Sequence, residues 1–223
     1  MIGAVFTGCG NNSTSNDGTV TITVSGSTSV GPLMEKIAEK YEEENSNISI
    51  EINQTGSSAG IKDAMDGISQ IGMSSRDLKD EEAAKVKATV LAYDGVAVIT
   101  NTGNSVKELT IGQIRDIFTG KITNWSEVGG SNASIVVVSR EAGSGTRTAF
   151  EEGVGYSEEE LVKDAIISKG NGDVKTTVST NENAIGFVSF EYVDDAISSI
   201  NVNGIEPTAA NVKAGSYALS RPF

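Results

Sequence analysis

The sequence predicts an α/β protein built on parallel sheets, because short apolar strands alternate along the chain with amphipathic helical segments. Length and composition agree with this fold class. A chain of 223 residues makes one large domain or two small ones, and a hydrophobic content of 38% with 25 glycines fits an α/β protein with many turns. The chain shows no internal sequence repeat.

Three of the predicted strands lead through a Gly/Ser/Thr cluster into a predicted helix. The strands are 21–24, 48–52 and 135–138, and the clusters that follow them are 26–29, 56–58 and 143–146. The first turn of a helix exposes unpaired N–H groups at the positive end of the helix dipole, which is a favourable place for an anion. One such cluster alone is more often an ordinary helix cap. Three of them, with Arg140 beside the third as a planar charged donor, predict convergence on one anion.

The remaining elements follow from apolar runs and capping patterns. Residues 70–75 form a short strand-like piece, and 80–87 form a charged helical stretch. The apolar run 90–100 is broken at Asp94-Gly95, which predicts a strand that leaves one domain and enters another. Capping boxes at 110–113 and 157–160 predict two more helices, the second carrying Leu161, Val162 and Ala165. Residues 184–188 are a further buried strand returning to the first domain.

Charge and composition narrow the classes of function. A net charge of −13 and a pI of about 4.4 argue against binding to nucleic acid or to anionic membrane surfaces. The chain has no histidine, which removes the usual general base, the commonest metal ligand and any Ser-His-Asp triad. We therefore expect no metal ion or other cofactor. The segment Gly56-Ser57-Ser58-Ala59-Gly60 matches the G-x-S-x-G pattern of serine hydrolases, but its serine lacks a standard base.

The N-terminal segment is short, apolar and rich in small residues, and it ends in Gly8-Cys9 before a polar, low-complexity stretch. It resembles the end of a bacterial lipoprotein signal, in which Cys9 is lipidated and becomes the mature N-terminus. The alternative is an N-terminal tail with an unmodified cysteine. No other segment approaches the roughly 18 apolar residues of a membrane span.

Four strings of residues, in this order and at this spacing, resemble the phosphate-binding protein of bacterial phosphate ABC importers. They are Gly26–Ser29, Gly56–Ile61, Ile117–Trp125 and Arg140–Arg147, and the resemblance covers residues 19–223. It implies a type II periplasmic-binding-protein fold, with two lobes, two crossover strands and the ligand in the interlobe cleft. On this basis, residues 1–18 are a signal remnant and tether, 19–94 plus 190–223 form lobe 1, and 95–189 form lobe 2.

The resemblance also implies a function. The protein is expected to capture inorganic phosphate outside the cytoplasm and to deliver it to the membrane permease of an ABC importer. It is expected to be a monomer, held on the outer face of the cell membrane by a lipid on Cys9 or else periplasmic, with no nucleic-acid partner. One alternative is a binder or sensor of another tetrahedral oxyanion such as sulfate, arsenate or molybdate. A remote alternative is a serine hydrolase.

The same resemblance assigns phosphate ligands residue by residue. They are Thr28 and Ser29 from the first helix start, Ser57 from the second, Arg140, and Ser144, Gly145 and Thr146 from the third. One departure affects selectivity: many family members have an aspartate that accepts the phosphate proton where this chain has Ser75.

Two residues near this departure are open to more than one interpretation. Asp94, where some relatives have glycine, is expected to supply the missing acceptor, or else to be a turn residue at the domain junction. For Arg76, which follows Ser75, an ion pair with Asp94 or a nearby glutamate is favoured over direct contact with the ligand.

Overall fold

The computed structural model describes residues 18–223, so Cys9 and its predicted lipidation lie outside the described part. In chain order the strands are β1 Val20–Gly26, β2 Ile48–Asn53, β3 Ile71–Met73, β4 Tyr93–Asn101, β5 Glu108–Leu109, β6 Val136–Arg140, β7 Ile166–Ser168, β8 Ala184–Ser189, β9 Ile197–Ser199, β10 Asn201–Val202 and β11 Ser220–Pro222. The helices are α1 Gly31–Glu44, α2 Ser57–Met65, α3 Asp80–Ala83, α4 Ile111–Phe118, α5 Gly145–Val154, α6 Gly170–Ser179 and α7 Ala209–Lys213.

The N-terminal part of the described chain forms a three-stranded sheet in the order β2-β1-β3. Both pairings are parallel, as the alternation of strands and helices predicted. The strands are connected through α1 and α2, and Val24 packs with Val30, Met34 and Met73 in the core of this sheet. This arrangement brings the carboxyl ends of β1 and β3 to one edge, and α1 and α2 begin beside that edge.

A larger sheet has the order β11-β4-β8-β6-β7, and β9 also pairs with β4. Strand β6 is parallel to β7 and β8, whereas β4 is antiparallel to β8, β9 and β11. The parallel prediction therefore holds for only part of this sheet. Its core is aromatic: Phe150 stacks on Phe187 with ring centroids 4.0 Å apart, and both lie against Phe118.

Strand β4 changes partners along its length, close to the predicted break at Asp94-Gly95. Residues 93–95 pair with β11, and residues 96–100 pair with β8. Gly95 is required here because a Cβ at this position would lie 2.1 Å from the ring of Phe190. The strand is continuous, so the Asp94-Gly95 step marks an exchange of neighbours rather than an interruption.

Two helical predictions were wrong in extent. The stretch 80–87 is helical only over Asp80–Ala83. The capping box at Ser157 exists, but it opens a single 3₁₀ turn over Glu158–Glu160 instead of a helix through Ala165. The N–H of Val162 donates to the carbonyl of Phe118 at 2.9 Å, and this long-range bond replaces the hydrogen bond that would continue the turn. The box at Thr110 does open a helix, α4.

Within residues 18–223, every helix is either too short or too polar to cross a lipid bilayer.

Candidate functional site

The starts of α1, α2 and α5 meet at one place, and short side chains connect them. The hydroxyl oxygens of Ser29 and Thr146 are 2.8 Å apart. A Cβ at Gly145 would lie 2.3 Å from the hydroxyl oxygen of Ser57, so only glycine allows α5 to approach α2 this closely. These contacts bring the three predicted clusters together, with Ser29 from the first, Ser57 from the second, and Gly145 and Thr146 from the third.

Ser75 lies beside the second helix start. Its backbone N–H donates to the hydroxyl of Ser57 at 3.1 Å, and the two hydroxyl oxygens are 3.2 Å apart. The structure thus brings five hydroxyl side chains into one small region, four of them fully buried. We call this set the hydroxyl cluster: Thr28, Ser29, Ser57, Ser75 and Thr146.

The caps of the helices differ from the predicted arrangement in one detail. Ser144 caps α5 by accepting the N–H of Arg147 at 3.2 Å, as a serine before a helix is expected to do. At α1 the equivalent acceptor is Ser27, which receives the N–H of Ser29 at 3.1 Å. The amide of Ser29 is therefore used inside its own loop, and its hydroxyl is the group that faces the cluster.

Arg140 ends β6 next to the hydroxyl cluster and is only 1% exposed. Its Nε and Nη2 donate to the two carboxylate oxygens of Glu141 at 2.8 and 2.7 Å, and Nη2 also lies 3.4 Å from the hydroxyl of Thr28. Burial works to raise the pKa of Glu141, but the hydrogen bonds and charge of Arg140 outweigh it and hold that pKa below its usual value. Nη1 of Arg140 is buried with no hydrogen-bond partner among residues 18–223.

Arg221, on β11, is a second buried guanidinium at the site, and the sequence analysis did not identify it. Its Nη2 donates to Asp94 at 3.1 Å and to the hydroxyl of Ser29 at 3.0 Å, and its Nη1 donates to the carbonyl of Ser75 at 3.3 Å. It is 3% exposed, and its Nε has no partner in the described part of the chain. The local sequence Ser220-Arg221-Pro222 carries no motif, so only the pairing of β11 with β4 reveals this residue.

Asp94 lies at the start of β4, where its carboxylate is the counter-ion of Arg221. Its Oδ2 accepts from Nη2 of Arg221 at 3.1 Å and from the hydroxyl of Ser189 at 2.8 Å. Burial raises the pKa of Asp94 in spite of these partners, and burial likewise lowers the pKa of Arg221 to about 10. Both shifts have the same cause, since removing the pair from water penalises each charge.

Arg76 forms the predicted ion pair with a glutamate. Its two terminal nitrogens donate to both carboxylate oxygens of Glu82 at 2.8 and 2.9 Å. The hydrogen bond from Arg76 holds the pKa of Glu82 at about 2, well below its ordinary value. Arg76 therefore ties α3 to the end of β3.

A fourth helix start, that of α6, also reaches the hydroxyl cluster. Asn171 is fully buried, and its side-chain Nδ2 lies 3.1 Å from the hydroxyl of Thr28 and 3.0 Å from that of Ser29. The sequence analysis missed Asn171, although a signal was present. The cluster Gly170-Asn171-Gly172 follows the apolar residues 166–167 in the same way that the three recognised clusters follow their strands.

The chemistry of these groups is that of an anion site. Hydroxyl groups, helix N-termini and two buried guanidiniums all donate hydrogen bonds, and each guanidinium keeps one buried N–H without a partner in residues 18–223.

Ser58, the central serine of the G-x-S-x-G match, is exposed and accepts only a long contact from Arg76 at 3.4 Å.

Comparison with known proteins places the chain in a family. The model described as the PBP superfamily domain matches residues 11–223. The phosphate-binding protein PstS of Bacillus subtilis is 34% identical over 202 residues, which cover 89% of this chain and 67% of that protein. The chain belongs to the phosphate-binding protein family of this superfamily. The phosphate-binding protein PstS 2 of Streptococcus agalactiae is 50% identical over 108 residues, which cover 48% of this chain and 37% of the relative.

Solved structures agree with this family assignment. A proposed phosphate ABC transporter substrate-binding protein from Clostridium perfringens, solved with bound phosphate, is 57% identical, with a TM-score of 0.90 over 92% of this chain and 84% of that one. An ABC-type phosphate transport receptor from Vibrio cholerae is 39% identical, with a TM-score of 0.76 over 91% and 84%. The predicted family and the predicted fold class, an α/β type II periplasmic-binding-protein fold, are therefore confirmed.

Proposed function

We propose that the protein is an extracytoplasmic solute-binding protein that captures inorganic phosphate and passes it to an ABC importer. The observation that carries the proposal is Arg140, a fully buried guanidinium beside the meeting point of three helix starts, with one N–H that has no partner among the described residues. Buried N–H groups of this kind are costly unless a partner completes them. The names of the relatives, phosphate-binding proteins and phosphate transport receptors, favour phosphate as that partner.

We assign the ligands as the sequence analysis did: Thr28, Ser29, Ser57, Ser75, Asp94, Arg140, Ser144, Gly145 and Thr146. Their hydroxyl and N–H groups supply neutral donors, Asp94 supplies an acceptor, and Arg140 supplies a charge-assisted donor. A net charge of −13 repels a free anion at long range, so short-range donors of this type have to provide the affinity. Burial strengthens each of these hydrogen bonds because the surroundings screen them less than water does.

Selectivity for phosphate over sulfate would depend on one acceptor. Monohydrogen phosphate carries a proton to donate and sulfate does not, so a carboxylate facing the anion favours phosphate and leaves sulfate opposite an unpaired negative charge. Asp94 is joined to the hydroxyl cluster by Arg221, as Glu141 is by Arg140, and the Oδ2 of Asp94 accepts both hydrogen bonds described above. We propose that its remaining acceptor capacity serves the anion in place of the usual aspartate at the Ser75 position.

The proposed lobes are residues 19–94 with 190–223, and residues 95–189. The hydrogen bonds from Arg221 to Ser29 and to the carbonyl of Ser75 support placing the last residues of the C-terminal segment with the N-terminal lobe. Strand β9 and the apolar side chains between 197 and 219 pack instead with the larger sheet. Strands β4 and β8 are then the two crossovers, and the bonds from Thr146, Arg140 and Asn171 to residues 28–29 cross the cleft. Small-angle scattering should therefore show a smaller radius of gyration when phosphate is bound. Identical scattering curves with and without saturating phosphate would contradict the proposed closure but not the proposed binding.

Membrane attachment and partners extend the proposal. We propose that a lipid on Cys9 anchors the protein to the outer face of the cell membrane, that it works as a monomer, and that a permease receives the phosphate. Metabolic labelling with a radioactive fatty acid, comparing the natural sequence with Cys9→Ala, tests the anchor.

A titration of the purified protein with phosphate, arsenate and sulfate tests the central proposal. Phosphate should bind most tightly and compete with the other two. Tighter binding of sulfate or molybdate would favour the second candidate, a binder or sensor of another tetrahedral oxyanion. We propose no enzymatic activity, and turnover of a chromogenic ester that is lost in Ser58→Ala would contradict that.

A further inference from the structure

We propose that Asn171 sets the direction of the hydrogen bonds in the hydroxyl cluster, so that the cluster presents donors, and not acceptors, to the anion. This role rests on the proposed function. It adds a residue that determines whether the cluster binds protonated or unprotonated oxygens of the anion. The nitrogen atoms of the network that can only donate fix the direction of the other hydrogen bonds.

The orientation of the Asn171 amide is fixed by a backbone group. The N–H of Ser189 can only donate, and it points at Oδ1 of Asn171 at 3.1 Å. The opposite side of the amide, Nδ2, must therefore face Thr28 and Ser29 and donate to both. Because the backbone N–H of Ser189 in β8 holds the amide in this orientation, Asn171 can only donate to the hydroxyls at the start of α1.

The hydroxyl of Ser29 has no remaining choice. Its oxygen accepts from Asn171 at 3.0 Å and from Nη2 of Arg221 at 3.0 Å, and neither of these nitrogens can accept a hydrogen bond. Both lone pairs are then in use, so the Ser29 hydrogen must be donated. The neighbouring oxygen is that of Thr146 at 2.8 Å, so Thr146 accepts from Ser29 and donates its own hydrogen onward. In this arrangement Ser29 acts on the anion through Thr146.

Thr28 is constrained in the same way. Its oxygen accepts from Asn171 at 3.1 Å and faces Nη2 of Arg140 at 3.4 Å, so its hydrogen also points away from both nitrogens. The hydroxyl hydrogens of Thr28 and Thr146 are therefore left to donate to the anion. This corner of the site then suits oxygens of the anion that carry no proton, and the protonated oxygen of a phosphate has to lie elsewhere, on the side of Asp94.

Asn171→Asp is the sharpest test, because it keeps the shape of the side chain and removes the donor. An ionised carboxylate accepts only, so it would pull the two hydroxyl hydrogens toward itself and would also repel the anion. A protonated carboxyl regains one O–H donor and a carbonyl for the Ser189 N–H, which restores the native direction. Three charged groups lie one further hydrogen bond from position 171: Arg140 through Thr28, Arg221 through Ser29 and Asp94 through Ser189. A fourth, Glu141, accepts from the N–H of the neighbouring Gly170.

Calorimetric titration with inorganic phosphate at pH 8 and pH 5 measures the effect, expressed as the ratio of the variant's Kd to that of the wild type at the same pH. This ratio removes the effect of phosphate protonation that the variant and the wild type share. We expect Asn171→Asp to bind at least about 100-fold more weakly at pH 8 and the ratio to shrink by at least about tenfold at pH 5. Asn171→Leu, which cannot ionise, should show the same ratio at both pH values.

Two further variants serve as controls. Asn47→Asp adds the same charge at an exposed turn and should keep the wild-type Kd at both pH values. If Asn171→Asp fails to fold, Ser29→Ala tests the chain of donors without adding charge. It should weaken phosphate binding by about tenfold while circular dichroism shows that the variant stays folded, because Thr146 loses its fixed orientation.

The outcomes separate the two proposals. A wild type that binds none of the anions overturns the proposed function and this inference with it. A wild type that binds phosphate, with equal ratios for Asn171→Asp and Asn171→Leu at both pH values, overturns the inference alone and leaves Asn171 a structural residue. Unchanged affinity in Ser29→Ala also overturns it.

Discussion

Replacing Arg140 with alanine should cost the protein most of its affinity for phosphate. The guanidinium is 1% exposed, and its free Nη1 would make a charge-assisted hydrogen bond to the anion, worth about 1.5–3 kcal/mol. The substitution also leaves the Glu141 carboxylate without its bidentate partner beside the incoming anion. Together these effects predict a loss of about 2–4 kcal/mol, or roughly 30- to 700-fold in Kd.

Calorimetry on the wild type, Arg140→Ala and three further variants can apportion this loss. Arg140→Lys keeps the charge but not the planar fork, so it should fall between the wild type and Arg140→Ala. Adding Glu141→Gln to Arg140→Ala removes the unpaired carboxylate and should recover part of the affinity. Arg115→Ala makes the same change of net charge at a half-exposed residue of α4 and should leave the Kd within about a factor of two.

A particular result would refute this reasoning. If Arg140→Ala keeps its circular dichroism spectrum and its Kd equals that of the wild type, Arg140 is not a ligand, and its buried position serves only the pairing with Glu141. An equal loss in Arg115→Ala would show instead that net charge, not a local donor, sets the affinity.

Three other substitutions test separate parts of the site. Asp94→Asn should weaken phosphate binding and narrow the phosphate-to-sulfate ratio in competition titrations, because an amide can turn its NH₂ toward an unprotonated oxygen; an unchanged ratio would assign selectivity to other groups. Gly145→Ala should reduce phosphate affinity by at least about tenfold, because the new methyl group would meet the Ser57 hydroxyl at 2.3 Å, whereas Gly172→Ala, which meets nothing within 4 Å, should leave the Kd unchanged. Glu82→Gln should lower the free energy of unfolding at neutral pH by about 1.5–3 kcal/mol. Since the folded pKa of Glu82 is depressed from 4.5 to about 2, its stabilisation is present above pH 4.5 and is lost as pH falls toward 2, so urea titrations of the variant should lack that part of the acid-induced loss.

Local sequence was sufficient to find three of the helix starts at the site, those of α1, α2 and α5. A strand, a Gly/Ser/Thr cluster and an amphipathic helix all lie within about 20 residues, and backbone preferences and caps act over that range. The same reasoning placed Arg140 correctly at the end of β6 beside the third cluster. For Arg76 the prediction was an ion pair with Asp94 or a nearby glutamate, and the structure has the second, with Glu82 six residues away.

Sequence alone could not find the parts of the site that depend on distant pairing. Arg221 reaches Ser29 and Asp94 only because three residues of β11 align antiparallel to the start of β4, 127 positions earlier for the Arg221–Asp94 contact. Nothing in a three-residue strand specifies that register. The helix predicted after Ser157 does not form for a related reason. The N–H of Val162, which would have bonded within that helix, donates to the carbonyl of Phe118 instead. In both places a contact made across the fold outweighed the local pattern.

The charges at the site explain why binding and closure of the cleft should be coupled. Arg140 is paired with Glu141 and Arg221 with Asp94, so two guanidiniums bring no net charge to an anion that enters a protein of net charge −13. In open water such a site would attract phosphate weakly, because exposed pairs and dipoles are screened. The favourable terms are the donors of the hydroxyl cluster and the helix N-termini, and these strengthen only when water is excluded. Those donors come from both proposed lobes, so they surround the anion only when the cleft is shut. Affinity then depends on closure, and an open cleft would release phosphate without any change in the ligands themselves.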